Sequence, residues 1–161
     1  MQKVNLSAIP ETEDKSPKGK YNSFYKGISE ALGREMQSTD MLKRHPFDLE
    51  WNRLPPGATH CPFHFHSAQW ELYFVLSGVG TIRDEESVTE VVAGDALIFK
   101  PGEAHQLSNR GTEDFVYLLV ADNPIGECCY YPDSNKWLVG HSTKRRKIVN
   151  EQPAEYYDGE E

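Results

Sequence analysis

His64, Phe65, His66 and Glu71 form a His-x-His-x4-Glu run, and His105 follows the Pro101-Gly102 turn. Three imidazoles and one carboxylate are a donor set with which proteins hold a divalent transition-metal ion. The set suits Mn, Fe, Ni, Co or Zn, and affinity order alone selects none of them. Residues two apart on a strand share a face, so His64 and His66 make a chelating pair while Cys61, Phe63 and Phe65 turn the other way. Glu71 stands five residues beyond His66, across Ser67-Ala68-Gln69. A short turn there is expected to bring the next strand alongside and to present the carboxylate to the same interior. Tyr73 has the parity of Glu71, so its hydroxyl either orients a ligand or donates to a substrate, or else it lines the wall. Leu107 shares parity with His105 and reads as wall. A lone strand histidine is more often a hydrogen-bonded core or surface residue than a ligand. His45, His60 and His141 are read that way, with His60, on the parity of His64, at a pocket rim.

The elements that must position these residues are short strands. Phe47 to Asn52 alternates apolar and polar and is broken by Leu54-Pro55-Pro56-Gly57. Trp70 to Leu76 stops at Ser77-Gly78. Gly80 to Arg83 and Val88 to Val92 flank a turn over Asp84-Glu85-Glu86-Ser87, and Ala96 to Phe99 stops at Pro101-Gly102. Phe115 to Val120 follows Asn109-Arg110-Gly111, and either of its two alternating sets can line a cavity. Strands at this spacing with turn residues between them predict an all-β sandwich or barrel. Trp70, Leu72, Phe74 and Leu76 are apolar on the face opposite Glu71. That face is therefore expected to be covered by the other sheet, an N-terminal arm or a second subunit, which favours a homodimer. Residues 1–44 read as a polar arm, mobile or ordered against a partner, in which 21–44 supplies either a helix face (Ile28, Leu32, Met36) or a leading strand. Residues 45–121 read as the barrel core, and 122–161 as an irregular extension covering or flanking it.

The bulk properties set bounds. The chain has 161 residues and a formal charge of -8. That is a usual length for one domain, and an acidic surface argues against nucleic acid as a partner. Lys144-Arg145-Arg146-Lys147 reads as a solvated patch offset by the acidic tail. No apolar run is long enough to span a membrane, and Met1 to Asn5 does not read as a secretion signal. Cys61, Cys128 and Cys129 are an odd set without disulfide spacing. They are expected to be small buried side chains in a cytoplasmic protein.

Gly57 to Gly78 resembles the first cupin motif, with His64, His66, Glu71 and Gly78 in place and the motif's spacing from His66 to Gly78. Gly94 to Asn109 resembles the second, through Gly94-Asp95, Gly102, His105 and Asn109. There are two departures: one extra residue between Gly57 and His64, and Lys100 where the motif has proline. Neither falls on a ligand position. The resemblance covers roughly 45–121 and implies a double-stranded β-helix, or jelly-roll barrel, with His64, His66, Glu71 and His105 as metal ligands. The flanks resemble those of small bacterial single-domain cupins, some of them labelled sugar-phosphate isomerases.

Three functions follow as expectations, because a fold does not name an activity. The first is a metal-dependent enzyme on a small polar metabolite, of sugar-phosphate isomerase type, with Glu71 as ligand or base and Tyr73 beside it. The second is an Fe-dependent cupin oxygenase, with Phe63, Trp70, Tyr73 and Phe99 around its pocket. The third is a non-catalytic small-ligand binder. Phosphate recognition is the weak point of the first, since Lys100, Arg53 and Arg83 are the only cations near the motifs.

Overall fold

A computed structural model describes residues 1–140 and 146–160. His141, Lys144 and Arg145, read above as surface residues, lie outside the described residues.

Among the described residues thirteen strands carry the fold: β1 (Thr12–Lys15), β2 (Asn22–Gly27), β3 (Phe47–Leu54), β4 (Phe65–His66), β5 (Glu71–Ser77), β6 (Val79–Arg83), β7 (Val88–Val92), β8 (Ala96–Phe99), β9 (Gln106–Ser108), β10 (Phe115–Asp122), β11 (Cys129–Tyr131), β12 (Lys136–Val139) and β13 (Lys147–Asn150). Two single-turn helices, α1 (Ile28–Ala31) and α2 (Met41–Arg44), lie between β2 and β3. The strands make a six-stranded sheet in the order β1-β2-β3-β10-β5-β8, a four-stranded sheet β13-β12-β11-β4 and a three-stranded sheet β7-β6-β9. All pairings are antiparallel.

The expected all-β architecture is present, and the β6–β7 hairpin forms across the anticipated turn, with Arg83 opposite Val88. Gly78 ends β5 with φ of 80°, and a Cβ there would collide with the Asp114 carbonyl, so only glycine fits the turn. The core joins Leu54, Tyr73, Val75, Ile82, Leu107, Phe115 and Tyr117 with Val91. Each such fully buried apolar side chain stabilises the fold by about 1.5–3 kcal/mol.

Three expectations are corrected. The first 20 residues do not wait for a partner subunit: Thr12 to Lys15 pairs with β2, and Glu11 takes a two-pronged ion pair from Arg53 at 2.9 and 3.0 Å. The segment after Ala121 is not irregular. It holds three strands, the first of them hydrogen-bonded to β4. The turn after His66 does not lay β5 alongside β4, because the two strands belong to different sheets. Gln69 and the Trp70 amide bond to Asp122 as the chain crosses over.

Candidate metal centre

His64 and His105 face each other in a two-way backbone bridge, His105 N–H to His64 O at 2.9 Å and His64 N–H to His105 O at 3.2 Å. Such direct opposition brings the two imidazoles side by side, with ring centroids 4.8 Å apart. The Gly102 amide donates to the His66 carbonyl at 2.9 Å, which ties the Pro-Gly turn to the first motif. β5 supplies Glu71 from the facing sheet.

All four side chains are buried, His105 to 1% exposure. The Glu71 carboxylate lies between two imidazoles, with Oε2 2.8 Å from His105 Nε2 and Oε1 3.5 Å from His66 Nε2. Tyr73 points inward as its parity requires, and its hydroxyl donates to Glu71 Oε2 at 2.9 Å and lies 3.2 Å from His105 Nε2. Potential ligand atoms of His64, Glu71 and His105 lie within 4.8 Å of one another. Those of His64, His66 and Cys129 do the same.

Each histidine is held from behind. His64 Nδ1 lies 2.9 Å from the Pro62 carbonyl, His105 Nδ1 3.1 Å from the Glu103 carbonyl, and His66 Nδ1 3.0 Å from Glu127 Oε1. An acceptor at Nδ1 keeps that nitrogen protonated and leaves Nε2 as the nitrogen each ring presents to an incoming cation. The donor set therefore fits a divalent transition ion: three imidazoles presenting Nε2 around one carboxylate, with His66 giving up a proton when an ion binds. Phe99 stacks flat on His105 at 3.9 Å and fixes the ring plane.

The electrostatics agree with a site that concentrates charge on Glu71. Burial alone would raise the Glu71 pKa, but the His66 charge and hydrogen bonds from His105 and His66 hold it well below the carboxylate range. Burial would likewise depress His66, but Glu71 and Glu127 outweigh it and lift the imidazole to about 10. His64 is pushed down to about 3 by burial. Burial and the Glu71 charge keep the Tyr73 phenol well above its ordinary value.

Two residues of the site were not anticipated. Glu127, 1% exposed, takes hydrogen bonds from both the His66 ring and the Ser67 amide. Cys129 sits opposite His66 in the β4–β11 pair, and burial pushes its thiol up to about 12. Both stand in a segment without periodicity, so no signal in the chain links them to His66. Of the other expected groups, His60 lines the cavity and meets the Tyr117 hydroxyl at 3.0 Å. Trp70 faces outward and Phe63 lies under the Arg83 guanidinium at 4.0 Å, so neither is a pocket aromatic. Lys100, Arg53 and Arg83 are all engaged with carboxylates at the surface.

A cavity of about 560 Å³ opens in front of His64, His66 and Glu71 and extends under β3. This is a usual volume for a small-molecule site.

A double-stranded β-helix with a buried three-histidine, one-carboxylate cluster defines the class of protein, and comparison with known proteins agrees. Residues 51–121 match the Cupin domain family, and the chain carries a cupin domain. Its structure is similar to that of a cupin-superfamily sugar phosphate isomerase from Silicibacter pomeroyi (TM-score 0.76, 23% identity, 96% of this chain and 98% of that one). It is also similar to an Acidithiobacillus ferrooxidans protein provisionally named a sugar phosphate isomerase (TM-score 0.77, 22% identity, 93% of each chain). At these identities the likeness speaks for the fold. An oxalate-binding protein of Thermotoga maritima is 34% identical over 68 residues, 42% of this chain and 55% of that protein. The chain thus spans about half the length of the curated relatives it matches. No helix among the described residues is long and apolar enough to cross a membrane.

Proposed function

We propose that this protein is a metal-dependent enzyme acting on a small polar metabolite, with His64, His66, Glu71 and His105 as ligands of one divalent transition-metal ion. The single observation that carries this reading is that acceptors hold the Nδ1 atoms of all three histidines, which leaves Nε2 as the nitrogen each ring offers beside one carboxylate. A bound ion supplies Lewis acidity to a carbonyl or to a neighbouring hydroxyl–carbonyl pair. Isomerase chemistry, as in the names of the two structural neighbours, needs no oxidant. A proton leaves the hydroxyl-bearing carbon and returns to the former carbonyl carbon, while a second moves between the oxygens. Glu71 serves as ligand, or as the base that takes this proton from the first carbon and returns it to the second. Tyr73 orients Glu71 and His105 through its hydroxyl.

Elemental analysis of protein prepared without chelator or metal-binding tag, beside the His64→Ala/His66→Ala double variant, tests the reading. About one equivalent of metal in the native chain and none in the variant supports it. No metal in either after reconstitution overturns it. Iron with oxygen consumption would move the assignment to an oxygenase. The oxalate-binding relative favours a second reading, a ligand binder without turnover. A small dicarboxylate that raises Tm and is recovered unchanged would mark it.

The outer face of the six-stranded sheet supports pairing of two copies. Trp70, Leu72, Phe74 and Leu76 stay 38–45% exposed and continue into Ile98 of the adjoining strand. Neither the other sheets nor the N-terminal strands cover them, and a contiguous apolar patch of this kind marks an interface. The three unpaired thiols fit a reducing, cytoplasmic setting.

A further inference from the structure

The cavity has a second polar end. β3 reverses the usual order of a half-buried strand: Asp48, Glu50, Asn52 and Leu54 face inward, while Phe47 is 53% exposed. The register across the sheet ties these residues to the cluster. Asp48 lies opposite Ala121, and Ala121 opposite Glu71. Glu50 lies opposite Leu119, and Leu119 opposite Tyr73. Two strand spacings, roughly 9–10 Å, separate the acidic strip from Glu71 and Tyr73. In the first of these rows only a methyl group stands between them, so the sheet forms an open floor from one end to the other.

The strip contains donors and acceptors left over in the same place. Asn52 is 1% exposed, and its amide nitrogen and oxygen have no aligned hydrogen bond among the described residues, although the amide is close enough to Glu50 to temper its acidity. Arg34, about nine-tenths buried, pairs with Asp48 at 2.9 Å through Nη1 and donates from Nη2 to Asn123 at 3.1 Å, while its Nε has no hydrogen-bond partner. Asp48 Oδ1 has none either. Buried polar atoms left in this way are costly unless something satisfies them. An anion would serve the donors and be repelled by Asp48 and Glu50, and an ammonium would do the reverse. A hydroxyl group gives one hydrogen bond and accepts others, so it serves both.

The charge balance points the same way. The lining residues of the cavity include seven carboxylates against three guanidiniums. Of these three, Arg34 is spent on Asp48, and Arg44 on the carbonyls of Asn123 and Pro124 at 2.8 and 2.7 Å. Among the described residues, no cation is left over for a phosphate within this end of the cavity except Arg146, which is exposed. We propose that Asp48, Glu50 and Asn52, with Arg34, form a hydroxyl-binding subsite facing the His–Glu cluster, and that the ligand is a neutral polyhydroxylated molecule rather than its phosphate ester. The proposal rests on the metal-dependent reading for its second anchor and deepens it by naming the ligand class. Burial, with Asp48 beside it, raises the Glu50 carboxyl to about 7, so at neutral pH it both donates and accepts.

The test is calorimetric titration of the full-length protein, at measured metal content, with D-ribose, D-xylose and xylitol beside D-ribose 5-phosphate. The neutral compounds should bind, and the phosphate should bind about tenfold more weakly or not at all, the scale of leaving one buried charge unmatched. Glu50→Gln and Asn52→Leu should each weaken neutral binding about tenfold with metal content unchanged. Tighter binding of ribose 5-phosphate, or neutral binding that neither substitution alters, overturns the subsite. Full metal occupancy with no binding of the neutral compounds also overturns it and leaves the metal reading standing. Glu50-dependent binding in protein that takes up no metal supports the subsite and sinks the metal reading instead.

Discussion

The two faces of the six-stranded sheet invert the expected arrangement. Inside, β5 presents Glu71 and Tyr73 and β3 presents Asp48, Glu50 and Asn52. Outside, the same two strands present Trp70, Leu72, Phe74 and Leu76, and Phe47. A half-buried strand ordinarily buries its apolar set. Here the inner face encloses Asp48, Glu50, Asn52 and Glu71 beside the apolar core of Leu54, Val75, Phe115 and Tyr117, while further apolar residues are left outward. The cavity draws hydrogen-bonding groups from the inner face, and the alternation of the strand places the intervening apolar residues outward. The difference teaches that buried polar residues mark the cavity on one face of this sheet, while the other face leaves apolar residues uncovered.

The largest expected effect breaks the inner face. His66→Ala or His105→Ala should abolish metal binding, taking content from about one equivalent to near zero while circular dichroism still reports a folded barrel. Full occupancy in either variant would mean that the ligand set is wrong. Next in size is the support behind the ligands. Glu127→Ala should weaken metal affinity by about 10–100-fold in a chelator competition, as loss of an outer carboxylate does, and Glu127→Gln should recover part of it by keeping an acceptor at His66 Nδ1. An unchanged affinity would make Glu127 a purely structural residue.

The outer face is broken by Leu72→Asp/Phe74→Asp. Light scattering should show conversion of a dimer to monomer, with metal content and secondary structure intact. A monomeric native protein at tens of micromolar would remove the pairing proposal. The smallest effect concerns pH. Glu50 has its folded pKa raised from 4.5 to about 7. The folded state therefore binds more protons than the unfolded state between these values, and the stability linked to Glu50 is full below about 4.5 and lost as pH rises through about 7. The linked stability is on the order of 1–3 kcal/mol, since the group borders a wet cavity. Glu50→Gln should therefore gain on the native protein by several degrees in Tm between pH 5 and pH 8, at roughly 2–4 °C per kcal/mol. Parallel Tm profiles for the two proteins would show that Glu50 ionises normally.

The metal cluster was legible because period-2 alternation and turn residues are local properties. Parity joins His64 to His66 and Glu71 to Tyr73, and the expected turn after His66 joins the pairs; the structure brings the four together, but by a crossover between two sheets. The same rule left β10 undecided, because both of its alternating sets are apolar. Closure of the sheets turns Phe115, Tyr117, Leu119 and Ala121 inward. β1 and β11 were missed because Thr12 to Lys15 and Cys129 to Tyr131 have too little pattern of their own, and form strands by pairing with β2 and β4.

What the chain determined by itself is the donor set, its spacing, the strand-and-turn rhythm and the glycine at position 78, all of which are fixed over a few residues by sterics and alternation. What only the tertiary structure decided is which face became the inside, how Glu127 and Cys129 reached His66 from some sixty positions away, and that the polar side of β3 shares a cavity with Glu71. Alternation divides a strand into two sets without saying which is buried. That choice belongs to the packing of whole sheets, where the energies of distant segments are summed.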